Sequence, residues 1–397
     1  MKIAVIETQP HGGLLHYAVQ LGDALAARGH DVELITPRRN ELVGRARHAR
    51  MRPVLAATRP HPEWHAPAAG AGRVVARAGV GMRLARAWAR VNWEVLRGDY
   101  DVVLLTSDVL TPLGAAGAWM LTRQPRRRPL AHVCHNAVGF RRGRETELSR
   151  TNPISEAFLR RTYPRFDLVF LHGGRTRAQF ERTWPPARLA EIPHGDERIF
   201  GDDPPVPSGE EHILFFGDWK KVKGISVLME AFDMIATRRP ATTLTMAGTP
   251  IADEIDVGAI ERWAQAHDGR VELIGRYVPI EEVPALFARA RVVTTPYLVG
   301  YQSGVVHLAM TMSRAVVASD VGDLGSVVVD DETGFLVEPG DARGLAEALE
   351  RVICDPALAA KLGANARDRL LAGSSWEKVA ERVECHLEPL QPAVRRG

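Results

Sequence analysis

Residues 292–319 read Val-Val-Thr-Thr-Pro-Tyr-Leu-Val-Gly-Tyr-Gln-Ser-Gly-Val-Val-His-Leu-Ala-Met-Thr-Met-Ser-Arg-Ala-Val-Val-Ala-Ser. A short apolar run, Val292–Thr295, stops at Pro296. A loop follows, a helix opens at Ser303, and a second apolar run, Ala315–Ser319, comes after it. Strand, loop, helix and strand make a βαβ unit, whose two strands lie parallel because the helix carries the chain back to the same edge. Ser303 is a favourable N-cap, and Gly304 bares the first helical amides to an anion. The stretch therefore predicts a phosphate-binding helix start at the C-terminal edge of a parallel sheet.

The same alternation spreads outward from this unit. Upstream lie a strand at Ile213–Phe216, a helix at Ile225–Thr237, strands at Thr243–Ala247 and Val271–Ile274, and a helix at Ile280–Ala290. Downstream, helical spacing covers Asp341–Cys354, Pro356–Leu371 and Trp376–Leu387. Around Glu191–Pro205 the pattern relaxes into a loop rich in Pro, Gly and Asp. Before that loop the alternation runs through strand Lys2–Glu7, helix Leu14–Arg28, strands Asp31–Thr36 and Asp101–Leu105, helix Thr111–Leu121, and strands Leu130–His135 and Leu168–Leu171. Continuous apolar strands separated by helices mean parallel sheets covered on both faces. The predicted fold class is α/β, with two Rossmann-like doubly wound domains facing each other across a cleft. The first comprises residues 1–193 and the second residues 196–376. A length of 397 residues suits two such domains.

Composition narrows the function classes. Hydrophobic residues are 45% and charged residues 25%, the balance of an ordinary globular protein. The opening Met-Lys-Ile-Ala-Val-Ile-Glu reaches an acid at once, without the apolar core of a signal peptide, and no apolar run approaches ~20 residues. The three cysteines, Cys134, Cys354 and Cys385, are too few and too scattered for a disulfide framework or a zinc knuckle. The expected location is the cytoplasm. Residues 1–195 carry 30 Lys+Arg against 16 Asp+Glu, or +14, and the rest carry 21 against 32, or −11. Arg38, Arg39, Arg45, Arg47, Arg50 and Arg52 crowd one stretch opposed only by Glu41, and Arg73, Arg77, Arg83, Arg86 and Arg90 recur at helical spacing. Residues 38–97 thus resemble a basic amphipathic insertion that touches a membrane or an anionic acceptor; a solvated helix face is the plainer alternative. Trp64, Trp88 and Trp93 are the only aromatics among those arginines, which argues against a nucleic-acid surface.

Two further strings suit phosphate chemistry. Gly12-Gly13 lies between the first strand and the first helix, where the backbone admits close approach of an anion. Residues 213–224 read Ile-Leu-Phe-Phe-Gly-Asp-Trp-Lys-Lys-Val-Lys-Gly, a buried strand ending at Gly217 and a basic loop in which Lys223-Gly224 begins a helix. The chain has only six lysines, and three stand here, as suits a diphosphate.

With these strings in hand, the whole chain resembles the family 4 glycosyltransferases, whose fold is named GT-B. Ile192-Pro193-His194-Gly195 resembles the family's interdomain turn, and Gly217–Gly224 its Gly-Arg-x4-Lys-Gly phosphate motif. Gly275-Arg276-Tyr277-Val278-Pro279 resembles its base-binding loop. Ala315–Gly322 and Gly334–Val337 resemble its "PVVASDVGG" and "GFLV" strings, and Trp376 the tryptophan that starts the family's C-terminal helix, which implies that a helix at about 377–397 returns to the first domain. The resemblance implies retaining transfer of a sugar from a nucleotide-diphosphate donor, with no cofactor and no metal. It implies that His135, ending its strand, hydrogen-bonds the transferred sugar, with Asn136, Tyr301 and Gln302 around that sugar. It places Gly12, Gly13, Gly217, Lys220, Lys221, Ser303, Gly304 and Val305 at the donor phosphates, with Lys223 neutralising the departing diphosphate. Gly248, Arg276, Tyr277, Val278 and Leu308 fall to the nucleoside.

Two motifs depart from the family pattern. Asp218 stands where the family has an arginine, so Lys220 or Lys221 is expected to substitute. Gly300 and Leu308 stand where it has two glutamates, as in branches with a Tyr…Ser-Gly-Val helix start. A UDP-sugar is the first expected donor and a GDP-sugar the second. The acceptor is a natural product or a lipid-linked or envelope glycan, and the basic N-terminal domain is expected to meet the inner face of a membrane. The rival readings are a catalytically impaired nucleotide-sugar-binding partner subunit and a GT-B-fold sugar-nucleotide epimerase.

Overall fold

The computed structural model describes residues 1–57, 71–125, 128–138, 152–201, 203–251 and 254–390, with side chains from residue 78 onward in the helix that starts at Ala71. Trp64, the side chains of Arg73 and Arg77, residues 139–151 and residues 391–397 lie outside the described residues. The chain divides into two compact units. One comprises Met1–Gly139, Ser149–Pro193 and Trp376–Gly397, and the other is built chiefly from His194–Ser375.

In the first unit the chain runs β1 (Lys2–Ile6), α1 (Gly13–Ala27), β2 (Asp31–Pro37), β3 (Arg50–Leu55), α2 (Ala71–Arg97), β4 (Val102–Leu105), α3 (Pro112–Leu121) and β5 (Leu130–Val133). It continues through α4 (Pro153–Thr162), β6 (Leu168–Leu171), α5 (Gly174–Thr183) and β7 (Leu189–Glu191). The seven strands form one parallel sheet in the order β3-β2-β1-β4-β5-β6-β7. The chain leaves β1 in one direction for β2 and β3 and in the other for β4 to β7. The sheet's topological switch point is therefore the gap between β1 and β4, where ligands of such sheets bind beyond the carboxyl ends.

The second unit repeats the plan. It runs β8 (His212–Phe216), α6 (Ile225–Arg238), β9 (Thr243–Ala247), α7 (Val257–Gln265), β10 (Val271–Ile274), α8 (Val283–Arg289) and β11 (Val292–Thr295). Then come α9 (Gly304–Thr311), β12 (Ala315–Ser319), α10 (Leu324–Val327), β13 (Gly334–Val337), α11 (Ala342–Cys354) and α12 (Pro356–Ser374). The parallel sheet has the order β10-β9-β8-β11-β12-β13. Its switch point lies between β8 and β11. Strands β8 and β12 are buried almost throughout, because one apolar cluster packs beneath the sheet around Phe215, Phe232 and Leu349, and another above it around Val293, Phe287 and Val316. The final helix, α13 (Trp376–Leu387), belongs to the first unit: Trp376 meets Tyr17 edge-on at 5.1 Å, and Glu384 pairs with Arg28 and His30.

Three expectations need correction. Residues 38–97 are no mere insertion, for they supply the edge strand β3 and the 27-residue helix α2. Arg50 and Arg52 hid that strand, yet both reach Glu33 on β2, and Arg52 also bonds Glu94 on α2 at 3.0 Å. Strand β5 ends at Val133, so His135 sits in the bend beyond it. Lys223-Gly224 starts no helix directly: Lys221–Lys223 form a single 3-10 turn, Gly224 takes a left-handed conformation with φ 66°, and α6 begins at Ile225.

Candidate active site

The switch point of the second sheet brings two loops together. The loop after β8 begins at Gly217, and the loop after β11 runs from Pro296 to the cap of α9. They are joined by backbone: the Leu298 N–H donates to the Val222 carbonyl at 2.9 Å. Gly224 lies so close to Pro296 that any side chain at 224 would strike the Pro296 carbonyl, 1.8 Å from an ideal Cβ. Glycine here serves both the left-handed turn and this approach.

Within this junction Lys223 and Ser303 share one neighbour. The Lys223 ammonium lies 3.6 Å from the centre of the Tyr297 ring, and the Tyr297 hydroxyl is 3.2 Å from Ser303 Oγ. Ser303 in turn accepts from the Val306 N–H and caps α9. Tyr297 is 2% exposed and fixed, so it holds the lysine beside the helix start. A cation over an aromatic face and a helix N-terminus both favour negative charge between them. Lys220, by contrast, is engaged by Asp218 at 2.8 Å, while Lys221 is exposed. Gly304 and Val305 are partly exposed at the first turn of α9, with the Glu197 carboxylate beside Gly304. Tyr301 is buried, Gln302 is partly exposed, and the Tyr301 carbonyl accepts from Asp323.

Four of the expected nucleoside residues follow the next two strand ends, while Leu308 lies within α9. Gly248, at φ 146°, packs against the Gly217 carbonyl, and its N–H donates to Ile274. Arg276 is exposed and held by Glu282 at 2.6 Å, with Tyr277 half-buried beside it. Val278 and Leu308 are core side chains, 6% and 2% exposed. Sequence reading passed over Tyr297 and also Trp219, which is buried where Gly275 and Pro250 meet. Their signal was available: a bulky aromatic within a glycine-rich strand-end loop either packs the loop or faces the ligand.

In the first unit, Gly12 adopts φ 84° as the cap of α1 and Gly13 is exposed, with open space where a Cβ would stand. His135 belongs to a cluster of rings. Its Nδ1 is 3.2 Å from His172 Nε2, and Tyr17 meets it edge-on at 4.6 Å. Desolvation, then the neighbouring His172 and His132, push the His135 imidazole well below its ordinary range. His132 is pushed down to about 4 by burial. Both rings are therefore neutral near pH 7, suited to hydrogen bonding rather than to carrying charge. His172 was missed, although β6 is the next strand to β5 and Val133 pairs with Phe170, which sets the residues two places beyond each, His135 and His172, side by side. Asn136 is partly exposed next to His135. Among the described residues, no group of three or more His, Cys, Asp or Glu is arranged to hold a metal.

Comparison with known proteins decides the class. The model of "Glycosyltransferase Family 4" matches residues 11–195, and that of "Glycosyl transferases group 1" matches residues 210–355. The chain belongs to the family 4 glycosyltransferases. Among relatives, the phosphatidyl-myo-inositol mannosyltransferase of Mycolicibacterium smegmatis is 27% identical over 392 residues, 94% of this chain and 89% of that one. The alpha-maltose-1-phosphate synthase of the same organism is 33% identical over 237 residues, 56% of this chain and 58% of the relative. A Mycobacterium tuberculosis glycogen synthase is 32% identical over 44% of this chain and 41% of its own. The chain spans about half the length of these last two. Solved structures share the two-domain GT-B fold: a Thermosynechococcus elongatus sucrose-phosphate synthase with TM-score 0.75 and 22% identity, covering 98% of this chain and 99% of that one, and Anabaena HepE in complex with UDP-glucose with TM-score 0.69 and 18% identity, covering 98% and 100%.

Proposed function

We propose that this family 4 glycosyltransferase moves a hexosyl group from a nucleoside-diphosphate sugar to an acceptor hydroxyl, with retention of configuration and without metal. The observation that carries the reading is the junction of Lys223, Tyr297 and Ser303, which sets a fixed cation beside a helix N-terminus at a topological switch point. As the bond from the anomeric carbon to the phosphate oxygen breaks, negative charge grows on the diphosphate. Lys223 and the first amides of α9 meet that charge. The acceptor oxygen bonds to the anomeric carbon on the same face, and its proton passes to the leaving phosphate. His135, neutral, hydrogen-bonds the sugar. Lys221 takes the place of the arginine lost at Asp218, because Lys220 is already neutralised.

A UDP-sugar is the first choice of donor, as HepE was solved with UDP-glucose, and a GDP-sugar the second, as one mycobacterial relative is a GDP-mannose-dependent mannosyltransferase. The acceptor is a small molecule or a lipid-linked glycan, met at the cytoplasmic face of a membrane by the basic first unit. UDP or GDP raises the melting temperature by mass action, and EDTA leaves turnover intact. Absence of any shift with every nucleoside diphosphate at millimolar concentration refutes donor binding; strict dependence on a divalent ion refutes the metal-free route. The Asp218–Lys220 pair favours one rival, a nucleotide-sugar-binding partner subunit. That rival binds donor yet turns it over with no acceptor tested.

A further inference from the structure

Glu41 is the one acid within a run of arginines, and nothing in the transfer reaction uses it. It lies in the loop between β2 and β3. One of its carboxylate oxygens, Oε1, accepts the Gly12 N–H at 2.5 Å and stands 2.6 Å from His16 Nε2. Its own N–H donates to the Pro10 carbonyl at 3.0 Å. The side chains of Glu41 and His16 are 9% and 6% exposed. The segment that delivers Glu41 is itself fastened, since Asn40 donates to the Pro37 carbonyl and accepts from the Leu42 N–H. On the other side of Gly12, its carbonyl accepts from Leu15 and His16 at the first turn of α1. Gly12 is thus gripped through both its N–H and its carbonyl in the left-handed conformation that only glycine adopts cheaply. With Gly12 turned this way, Gly13 is the exposed residue at the helix start, bordered by open space.

We propose that Glu41, braced by the His16 ring, is a positioning residue that holds the Gly12-Gly13 loop in the shape that receives the donor diphosphate. This rests on the reading of that loop as a donor-phosphate site. The His16 ring meets the same carboxylate oxygen that takes the Gly12 N–H, so the Glu41 side chain is held from α1 as well as from the loop. A purely structural cap would stabilise α1 and leave ligand preference alone.

The test measures calorimetric affinity of the whole chain for UDP-glucose and UMP, or for GDP-mannose and GMP, whichever pair the wild type binds. Glu41→Gln keeps an acceptor oxygen for Gly12 and holds the sugar nucleotide within about threefold of wild type. Glu41→Ala weakens it roughly tenfold, the scale of one charge-assisted hydrogen bond, and leaves the monophosphate unchanged. His16→Ala leaves the carboxylate without its ring partner and weakens the sugar nucleotide several-fold, a second route should Glu41→Ala fail to fold. Equal loss for the monophosphate, or sugar-nucleotide binding by both alanine variants as tight as wild type, overturns the proposal. Gly13→Ala separates it from the reading beneath: normal binding by that variant means the loop takes no phosphate, whereas a damaged Gly13→Ala beside normal Glu41 and His16 variants defeats the positioning role alone.

Discussion

Lys223 can act on a ligand only if something keeps its four-carbon stem from wandering, and Tyr297 does so. The ring lies 3.6 Å beneath the ammonium, and the ring is anchored through its hydroxyl to the capping Ser303. Charge on the departing diphosphate is larger in the transition state than in the bound donor, so the lysine contributes mainly to kcat. Lys223→Ala is expected to lower kcat for donor turnover on the order of 10²-fold with a smaller change in KM. Lys221→Ala approaches that defect, while Lys220→Ala, already paired with Asp218, stays within about twofold on the same scale. A folded Lys223→Ala protein with normal kcat places the diphosphate elsewhere. His135 shows the residue scale from the other side. Its neutrality arises from a pocket of rings, and two of those rings, His172 and Tyr17, come from distant segments.

At the scale of elements, the strand-end loops of β8 and β9 are locked to each other through glycine. An ideal Cβ on Gly248 would lie 2.0 Å from the Gly217 carbonyl, and φ there is 146°. Gly248→Ala must push one loop off the other, with an expected loss of about 3 kcal/mol or more in denaturant unfolding and loss of nucleotide binding. Gly269→Ala supplies the control: it is also left-handed, at φ 79°, but meets open space, so it costs only about 1 kcal/mol and spares binding. An equal effect of the two changes would show that loop contact is not what Gly248 serves. These elements were legible from residues alone where strands are unbroken apolar runs, as at Val292–Thr295 and Ala315–Ser319. Legibility failed at β3, whose arginines take up ion pairs across the sheet edge and so carry no apolar alternation. It failed also at β7, three residues long, and at the 3-10 turn before α6, because tertiary approach to Pro296 sets that turn rather than local propensity. The Gly12-Gly13 and Lys223–Gly224 strings could be read because backbone approach demands glycine and charge demands lysine. His172 and Glu41 could not, since their roles depend on which strands and loops become neighbours.

At the scale of the molecule, the charge split finds a surface to act on. Residues 1–195 carry +14 and the remainder −11. Within the first unit, helices α2, α3 and α4 pack side by side. They carry Met82, Trp93, Leu113, Met120 and Ile154, five of the seven large apolar side chains exposed among the described residues. Arginines accompany them: Arg97 lies over the Trp93 ring at 4.2 Å and Arg123 over the Trp119 ring at 4.4 Å. Apolar side chains set among arginines suit the boundary between anionic headgroups and acyl chains better than they suit water. No helix among the described residues is long and apolar enough to cross a membrane. The expected outcome is cosedimentation with vesicles of anionic phospholipid, falling steeply as salt rises because screening shortens the reach of each charge. Replacing Met82, Met120 and Ile154 together by serine should leave binding at low salt and remove the part that survives high salt, since that part comes from buried apolar area. Recovery equal on neutral and anionic vesicles, or a salt response unchanged by the triple replacement, would return these helices to the role of a solvated face.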